Sequence, residues 1–590
     1  MNTRKYMFKN SLVACFACCC LSFASAGNPP FFPTDVVTNA KGELLMTDKG
    51  VKRVDVFSPD GKTLLRSFPM DEPPTGILVD GDKAYVTTFG TTGHLQILSL
   101  ESGRVEASIP TGSGACHPMF GPDKKHIYVC NQFQTTISEI DPVARKVMRT
   151  VKVLREPKSA VFSKDGKYMF VTNFLPAQRA DLDYVAACVS VIEMDGFTKV
   201  KDIQLANGSN ALRGICITPD GKYIYVSHNL GRFTVPTSQL QQGWMNTSAF
   251  SVIDVDKQEF LGAIVVDEPE RGAAGIWSIA CNEESVFISH SGTHEVSVID
   301  HKAMLEKFLN YPNKAVLDYD LTFLYGLRER IPLEGNGPRN MILNGDKLII
   351  PTYFADVLNI MDINTNEVTS VELNPGREET AENKGERYFN DASHCFQNWQ
   401  SCNCHPGDAR TDGMNWDLMN DGVGNSKNCK SMLFSHVTPP NMISGIREHA
   451  ERAVRAGFNF IQFYDVSEED AVCVDAYMKS LRPVPSPYLV NGELSDLAKE
   501  GQKVFEKLKC GECHSGVYYT DMKYHRIGED IEFEKGWDTP TLREVWRTAP
   551  YLFDGRAATM KEVFSVHKHG IEKKVSEKDI EALTEYVNSL

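Results

Sequence analysis

Five consecutive residues near the C-terminus, Cys510-Gly511-Glu512-Cys513-His514, carry the most specific chemistry in the chain. Two thiols at this spacing can add to the two vinyl groups of one haem, and the imidazole beside them is then placed to ligate its iron. Zinc uses the same residue types, but the helical setting and a second copy of the motif favour covalent haem c. That copy, Trp399-Gln400-Ser401-Cys402-Asn403-Cys404-His405, has one residue too few between its cysteines. Its sulfurs cannot take the usual spacing against both vinyls. The expectation there is a single thioether through Cys404 and an iron bond from His405. The alternative is loss of haem, with Cys395, Cys402 or Cys429 in a disulfide.

An iron held by one imidazole still needs a second axial group or an open face. In the C-terminal copy His567 follows Asp554-Gly555-Arg556, with His569 close behind, and either can close the site. The matching place in the first copy, near Gly457 and Phe458, has no ligand-type side chain. His436, ahead of Thr438-Pro439-Pro440, is the best substitute, with His394 and His449 behind it. An open or weakly held axial site is what peroxide chemistry requires, which makes His405 and His436 the candidate catalytic pair. Trp399 and Trp416 flank the first motif and could pass electrons, although core packing accounts for each alone.

Helices must position these groups. Ser467-Glu468-Glu469-Asp470 is a capping-box start for a helix closing near Leu481, and Ser576 to Leu590 repeats it. Leu481 and Leu590 are 109 residues apart, as are His405 and His514. Two landmarks sharing one offset indicate tandem duplication, giving a first cytochrome c-like domain over 388–485 and a second over 488–590. Arg482 to Pro487 is the proline-rich joint between them.

The part before residue 375 reads differently. Asp165-Gly166-Lys167-Tyr168-Met169-Phe170-Val171-Thr172-Asn173 and Asp220-Gly221-Lys222-Tyr223-Ile224-Tyr225-Val226-Ser227-His228 are copies of one phrase, a turn followed by an alternating strand. Seven copies begin near Val37, Ile77, Met119, Ala160, Ile215, Ile279 and Met341. All-β repeats of about 40 residues predict a propeller with one four-stranded blade per repeat, here over 30–375. Two insertions, Leu175 to Ala187 and Leu230 to Thr247, are candidate binding loops. His228 lies in a different blade from His290 and His294, and all three read as ordinary loop histidines. Asn374 to Glu386 is polar and charged and reads as a linker.

Composition sets the outer bounds. The chain has 590 residues, 42% of them hydrophobic, and a formal charge of −15. Its basic residues form no stripe, which argues against nucleic acid. Residues 1–26 read as an export signal: a basic start, an apolar run too short to span a bilayer, and Ala24-Ser25-Ala26 as the cleavage site. Leu12 to Cys15 also has the form of a lipoprotein box, but almost no apolar stretch precedes it. The expectation is a periplasmic protein. Of the 16 cysteines, Cys15, Cys18, Cys19 and Cys20 leave with the signal. Cys116, Cys130, Cys188, Cys216 and Cys281 read mostly as buried free thiols.

The repeats around Tyr168 to Asn173 and Tyr223 to His228 resemble bacterial propellers of the Tyr-Val-Thr-Asn repeat family. The region from about 388 resembles di-haem cytochrome c peroxidases and the related methylamine-utilisation maturases. It does so through Cys404-His405-Pro406 with Arg410-Thr411-Asp412-Gly413, through Cys510 to His514, and through Thr548-Ala549-Pro550-Tyr551 with Asp554 to Thr559. Those peroxidases place a Met after the Asp-Gly segment as distal ligand; His567 falls at that place, so the resemblance implies bis-histidine ligation and a lower potential. It also implies that the N-terminal haem is the peroxide-reacting one, and that is the copy with the Cys-x-Cys departure. The resulting expectation is a multidomain protein, an all-β seven-bladed propeller followed by tandem, mostly α cytochrome c-type domains. Its one or two haems would exchange electrons with a small cytochrome or cupredoxin, while the propeller holds a ligand or partner. The rival is a binding protein whose haem domains are vestigial.

Overall fold

The computed structural model describes residues 27–234, 245–404, 407–417, 422, 424, 426–527, 534–571 and 573–590. His405 and the export-signal segment lie outside the described residues, as does the side chain of Cys404.

Seven antiparallel sheets follow one another along the chain, each with its strands in sequence order. The first comprises β1 (Pro33–Thr38), β2 (Leu44–Asp48), β3 (Arg53–Phe57) and β4 (Leu64–Pro69). Every expected repeat start falls on the innermost strand of a blade or, for Met341, directly before it. Burial explains the sequence pattern. Leu44–Asp48 is sandwiched between neighbouring blades and buried at every residue, whereas Leu64–Pro69 at the rim is mostly exposed. The Asp-Gly turns are self-supporting: Lys167 N–H donates to Asp165 at 3.1 Å, Tyr168 N–H donates to Ser163 at 3.0 Å, and Gly166 takes φ +72°.

A ring of hydrogen bonds joins each blade to the next near the axis. Thr34 donates to the Pro74 carbonyl, Thr75 to Ala115, Ser159 to Arg213, Ser227 to Trp277 and Ser289 to Arg339. The Cys116 thiol makes the longer contact to Pro157, and Asn340 Nδ2 returns to the Thr34 carbonyl at 2.7 Å, closing the circle. At the seam the buried Asp356 of the last blade accepts from the Phe31 and Phe32 N–H groups at 2.9 and 3.2 Å.

Two features depart from the expectation. The sixth blade carries a helix, α1 (His301–Leu309), capped by Asp300, whose Met304 and Phe308 fill the core between blades. The stretch read as a linker is folded: Arg377 pairs with Asp356 at 3.1 Å and with Glu379 at 2.9 Å, and Glu379 also pairs with Arg387. The charges that suggested a solvated linker satisfy one another. Helix α2 (Ala381–Asn390) therefore begins before residue 388, capped by Thr380.

Beyond the propeller the same arrangement occurs twice. Helix α2 crosses α4 (Glu468–Ser480), and α5 (Asp496–Lys507) crosses α7 (Glu577–Asn588). Each crossing is set by a glycine. A Cβ on Gly385 would lie 1.9 Å from the Cys473 carbonyl oxygen, and one on Gly501 would lie 1.8 Å from that of Ala582. Phe389 meets Tyr477, and Phe505 meets Tyr586, at the same centroid distance of 5.4 Å. Both final helices start with the expected serine cap, Ser467 and Ser576. Between the crossing helices lie α3 (Ala450–Phe460) in the first unit and the shorter α6 (Met560–Ser565) in the second.

The helical region lies on one face of the propeller, and the first insertion holds it there. Ala180 N–H donates to the Gly555 carbonyl at 2.9 Å, and Pro176 approaches Gly413. Gly231, at the start of the second insertion, lies against Met414 and Trp416, and residues 235–244 of that insertion lie outside the described residues. In the described residues, both candidate binding loops therefore engage the chain's own helical region.

Candidate functional site

Cys510 opens a 3-10 turn, Cys510–Glu512, directly after α5, with Lys509 in the left-handed region at φ 61°. His514 N–H returns to the Cys510 carbonyl at 2.9 Å, so thiols and imidazole share one compact turn. Cys510 and Cys513 are free thiols, and burial pushes the Cys510 thiol up to about 11.

Two contacts define what His514 can do. Its Nδ1 faces the Tyr519 carbonyl oxygen at 3.1 Å, which places a proton on Nδ1, the tautomer that ligates through Nε2, and the Pro540 carbonyl also accepts from this ring. Its ring centroid lies 6.3 Å from that of His569, the planes tilted by 51°. A metal bound to two imidazole nitrogens at about 2 Å each holds the ring centroids about 6 Å apart, so this gap fits one. Burial lowers the pKa of both imidazoles, that of His569 to about 4 with help from His514 and Arg556. Both are neutral at physiological pH, the state a metal requires.

The ring across from His514 is that of His569; His567 lies two residues earlier in the same turn. Helix α6 stops at Ser565, and the chain then folds back so that His569 N–H reaches the Val563 carbonyl at 3.1 Å. In the first unit α3 runs on to Phe460, and the corresponding stretch is helix, with Phe458 fully buried. Around it the His394 ring meets Tyr388 at 4.8 Å, Tyr464 at 5.1 Å and Phe458 at 6.3 Å.

His436 is already engaged. Its Nε2 lies 3.0 Å from Asp475 Oδ1, and Arg455 holds the other carboxylate oxygen at 2.5 Å. Burial raises the Asp475 carboxyl, and His436 and Arg455 outweigh it, holding the group below its ordinary value. Sequence reasoning missed Asp475 because its helical neighbours gave no sign of an inward-facing pair. Cys402 accepts from Gln462 at 3.1 Å, and burial raises its thiol to about 12. His449 is exposed at the start of α3. Trp399 and Trp416 are buried, and Trp416 donates to Asp412 at 2.6 Å.

His228 and His290 are not loop residues, whereas His294 stands in the turn between two strands, as its sequence context suggests. His228 and His290 are fully buried in strands, each with Nε2 on a neighbouring serine, Ser251 at 2.7 Å and Ser297 at 2.8 Å. His294 pairs with Asp391 of the helical region at 3.1 Å. Among the described residues, no group of three or more His, Cys, Asp or Glu side chains is placed to hold a metal ion. A haem needs no such group, because its porphyrin supplies the other ligands.

Fold and site together define a seven-bladed propeller protein carrying a helical region with a Cys-x-x-Cys-His motif and a facing imidazole. No family model matches the chain. It is 27% identical to hydrazine synthase subunit gamma of Kuenenia stuttgartiensis over 272 residues, which cover 35% of this chain and 76% of that one. It is 24% identical to hydrazine synthase subunit beta of the same organism, covering 32% of this chain and 48% of the relative. It is 23% identical to cytochrome c551 peroxidase of Nitrosomonas europaea, over 26% of this chain and 51% of the relative. The chain thus spans only about half the length of the last two. A solved structure of Kuenenia stuttgartiensis hydrazine synthase superposes with a TM-score of 0.51 at 19% identity, covering 60% of this chain and 98% of the other, which supports the fold.

Proposed function

We propose that the chain is an exported c-type haem protein that transfers electrons, with its haem on the C-terminal unit. Cys510 and Cys513 would hold the group by thioethers, and His514 and His569 would ligate its iron. The observation that carries this reading is the His514–His569 pair, two neutral imidazoles facing across a gap of metal size next to two free thiols. A haem c bound there supplies a one-electron couple, and a second imidazole in place of Met sets its potential lower. The chain's own residues do the rest. Tyr519 orients the imidazole of His514, and the apolar cluster of Phe505, Val545, Phe564 and Leu583 excludes water.

The first unit supports a narrower reading than peroxidase. The aromatic packing around His394 and the engagement of His436 by Asp475 favour one haem per chain, with the tandem cytochrome fold kept as a docking platform. In the peroxidase reading, Cys402, Cys404 and His405 would hold a second haem, with His405 and His436 as the candidate catalytic pair. The electron partner is a small cytochrome or cupredoxin, and the location is the periplasm. A pyridine haemochrome assay of the mature protein decides. One haem per chain supports the electron carrier and two support the peroxidase; a colourless protein from a host with working cytochrome c maturation sinks both.

A further inference from the structure

The inner strands of the fifth and sixth blades, Ile215–Ile217 and Ile276–Cys281, lie side by side near the axis, and each carries one cysteine. Their backbones meet two residues ahead of each sulfur. A Cβ on Gly214 would lie 2.7 Å from the Trp277 carbonyl oxygen and 2.8 Å from the Ile279 amide nitrogen. Ser227 of the fifth blade donates to that same carbonyl at 2.5 Å. The two strands are therefore pinned together just before Cys216 and Cys281.

The Cys216 thiol donates to Cys281 Sγ at 3.7 Å, and the Cys281 thiol donates to the Ile217 carbonyl at 3.5 Å. Both side chains pack on the apolar cluster of Tyr225, Ile279 and Val286 between the blades, yet each stays partly exposed. The hydrogen bond to Cys281, together with burial, raises the Cys216 thiol well above its ordinary value. At neutral pH the pair therefore rests as two thiols until an oxidant reaches it. A covalent S–S bond is about 2.05 Å long, so the sulfurs must close by about 1.7 Å. Rotation about χ1 supplies that movement and leaves the pinned strands in place. Cys116 and Cys130 of the third blade also stand opposite each other, but Cys116 points to the Pro157 and Lys158 carbonyls at 3.9 Å.

We infer that Cys216 and Cys281 are a disulfide-forming pair, a covalent staple between the fifth and sixth blades. The reaction is thiol–disulfide exchange with a donor disulfide, that of a protein or of oxidised glutathione. One cysteine thiolate attacks a donor sulfur and expels one donor thiolate. The second cysteine then attacks the sulfur of the first, forming the Cys216–Cys281 bond and expelling the other donor half. The two cysteine protons pass to the two donor thiols, and two electrons reduce the donor's S–S bond. The cysteines are 65 positions apart, and the loop so closed holds the fifth blade with the second insertion. Closing it restricts the unfolded chain, which stabilises the folded one. Only the supply of donor in the cell rests on export; the pair itself does not.

Peptide mapping of the full, haem-loaded chain tests this. Trypsin leaves each cysteine alone in its own peptide, Gly214–Lys222 and Gly272–Lys302. The chain is taken as exported, and again after reduction and exposure to oxidised glutathione, then alkylated and digested without reductant. Both samples should yield one linked peptide, lighter than the sum of its parts by two hydrogens, about 2 Da. Reductant should lower the thermal midpoint of the parent by several degrees and leave that of Cys281→Ser unchanged. Alkylated thiols in both samples overturn the pair, as does a bond from either cysteine to a different one. Linkage only after glutathione upholds the pair and counts against export. Haem content, read separately by haemochrome, keeps either result apart from the haem assignment.

Discussion

Arg547 of the second helical unit grips Glu156 of the fourth blade through two contacts, Nε to Oε1 at 3.0 Å and Nη2 to Oε2 at 3.2 Å. Both side chains are about 5% exposed, and Arg547 also pairs with Asp408 and Glu544. Nearby, Arg155 donates to the Arg547 carbonyl at 3.0 Å. The two parts of the molecule therefore share a dry, charged interface in place of a flexible tether.

The first prediction concerns that interface. Removing one partner of a buried ion pair leaves the other charged and unpaired, at about 3–5 kcal/mol. Glu156→Ala should lower the denaturation midpoint of the whole chain, and adding Arg547→Ala should recover part of the loss. A fragment ending near Pro375 should fold, because the hydrogen-bond ring of its blades is complete, but with lower solubility than the parent. A double variant losing the sum of the two single losses would show that the pair carries no coupling.

The second concerns the facing imidazole. His569→Ala should move the haem spectrum from low-spin toward high-spin, while His567→Ala leaves it low-spin, since it is the His569 ring that stands 6.3 Å from His514. The opposite pattern would return the axial role to His567. Visible absorption of the oxidised protein reads both outcomes.

Much of this was legible in the residues. The blades were, because period-two strands and Asp-Gly turns are local signals that tertiary packing reinforces. So was the duplication, whose serine caps recur at a fixed offset. The position of His569 was not, since it depends on where α6 frays and the chain turns back, and sequence periodicity does not fix helix ends. His228 and His290 were misread because a polar residue in a strand looks like a turn until its serine partner on the next strand is known. Glu156 and Arg547 are 391 positions apart, and neither carries a local mark of the other. Helix α1 was hidden because one short amphipathic helix interrupts an otherwise all-β pattern.

The third prediction concerns the helix crossing. A methyl on Gly501 would sit 1.8 Å from the Ala582 carbonyl oxygen, so Gly501→Ala must push α5 off α7. Overpacking of this kind costs about 1–3 kcal/mol, and it would displace Cys510, which follows α5 directly. We expect a lower thermal midpoint and reduced haem incorporation. Gly385→Ala should destabilise the first unit similarly while leaving haem at Cys510 and Cys513 intact. Equal haem loss in both variants would mean that the two units do not fold separately.

The last prediction concerns pH. Asp267, 2% exposed, accepts from the Ser248 N–H at 2.6 Å and the Ala273 N–H at 2.5 Å. Burial raises its pKa from 3.8 to about 6, against these two hydrogen bonds and the charges of Arg328 and Arg330. The folded protein therefore keeps this proton after the unfolded chain has released it. Stability from this group is fully present below about pH 4 and is lost as pH rises through about 6, a change of about 3 kcal/mol. Asp267→Asn removes the titration. It also sets an amide N–H₂ against backbone donors, so the variant should be less stable than the parent throughout. The gap between the two should narrow as pH rises from 4 to 7. Urea midpoints across that range measure it, and a gap that stays constant would show that Asp267 is ionised in the folded state from the acid side onward.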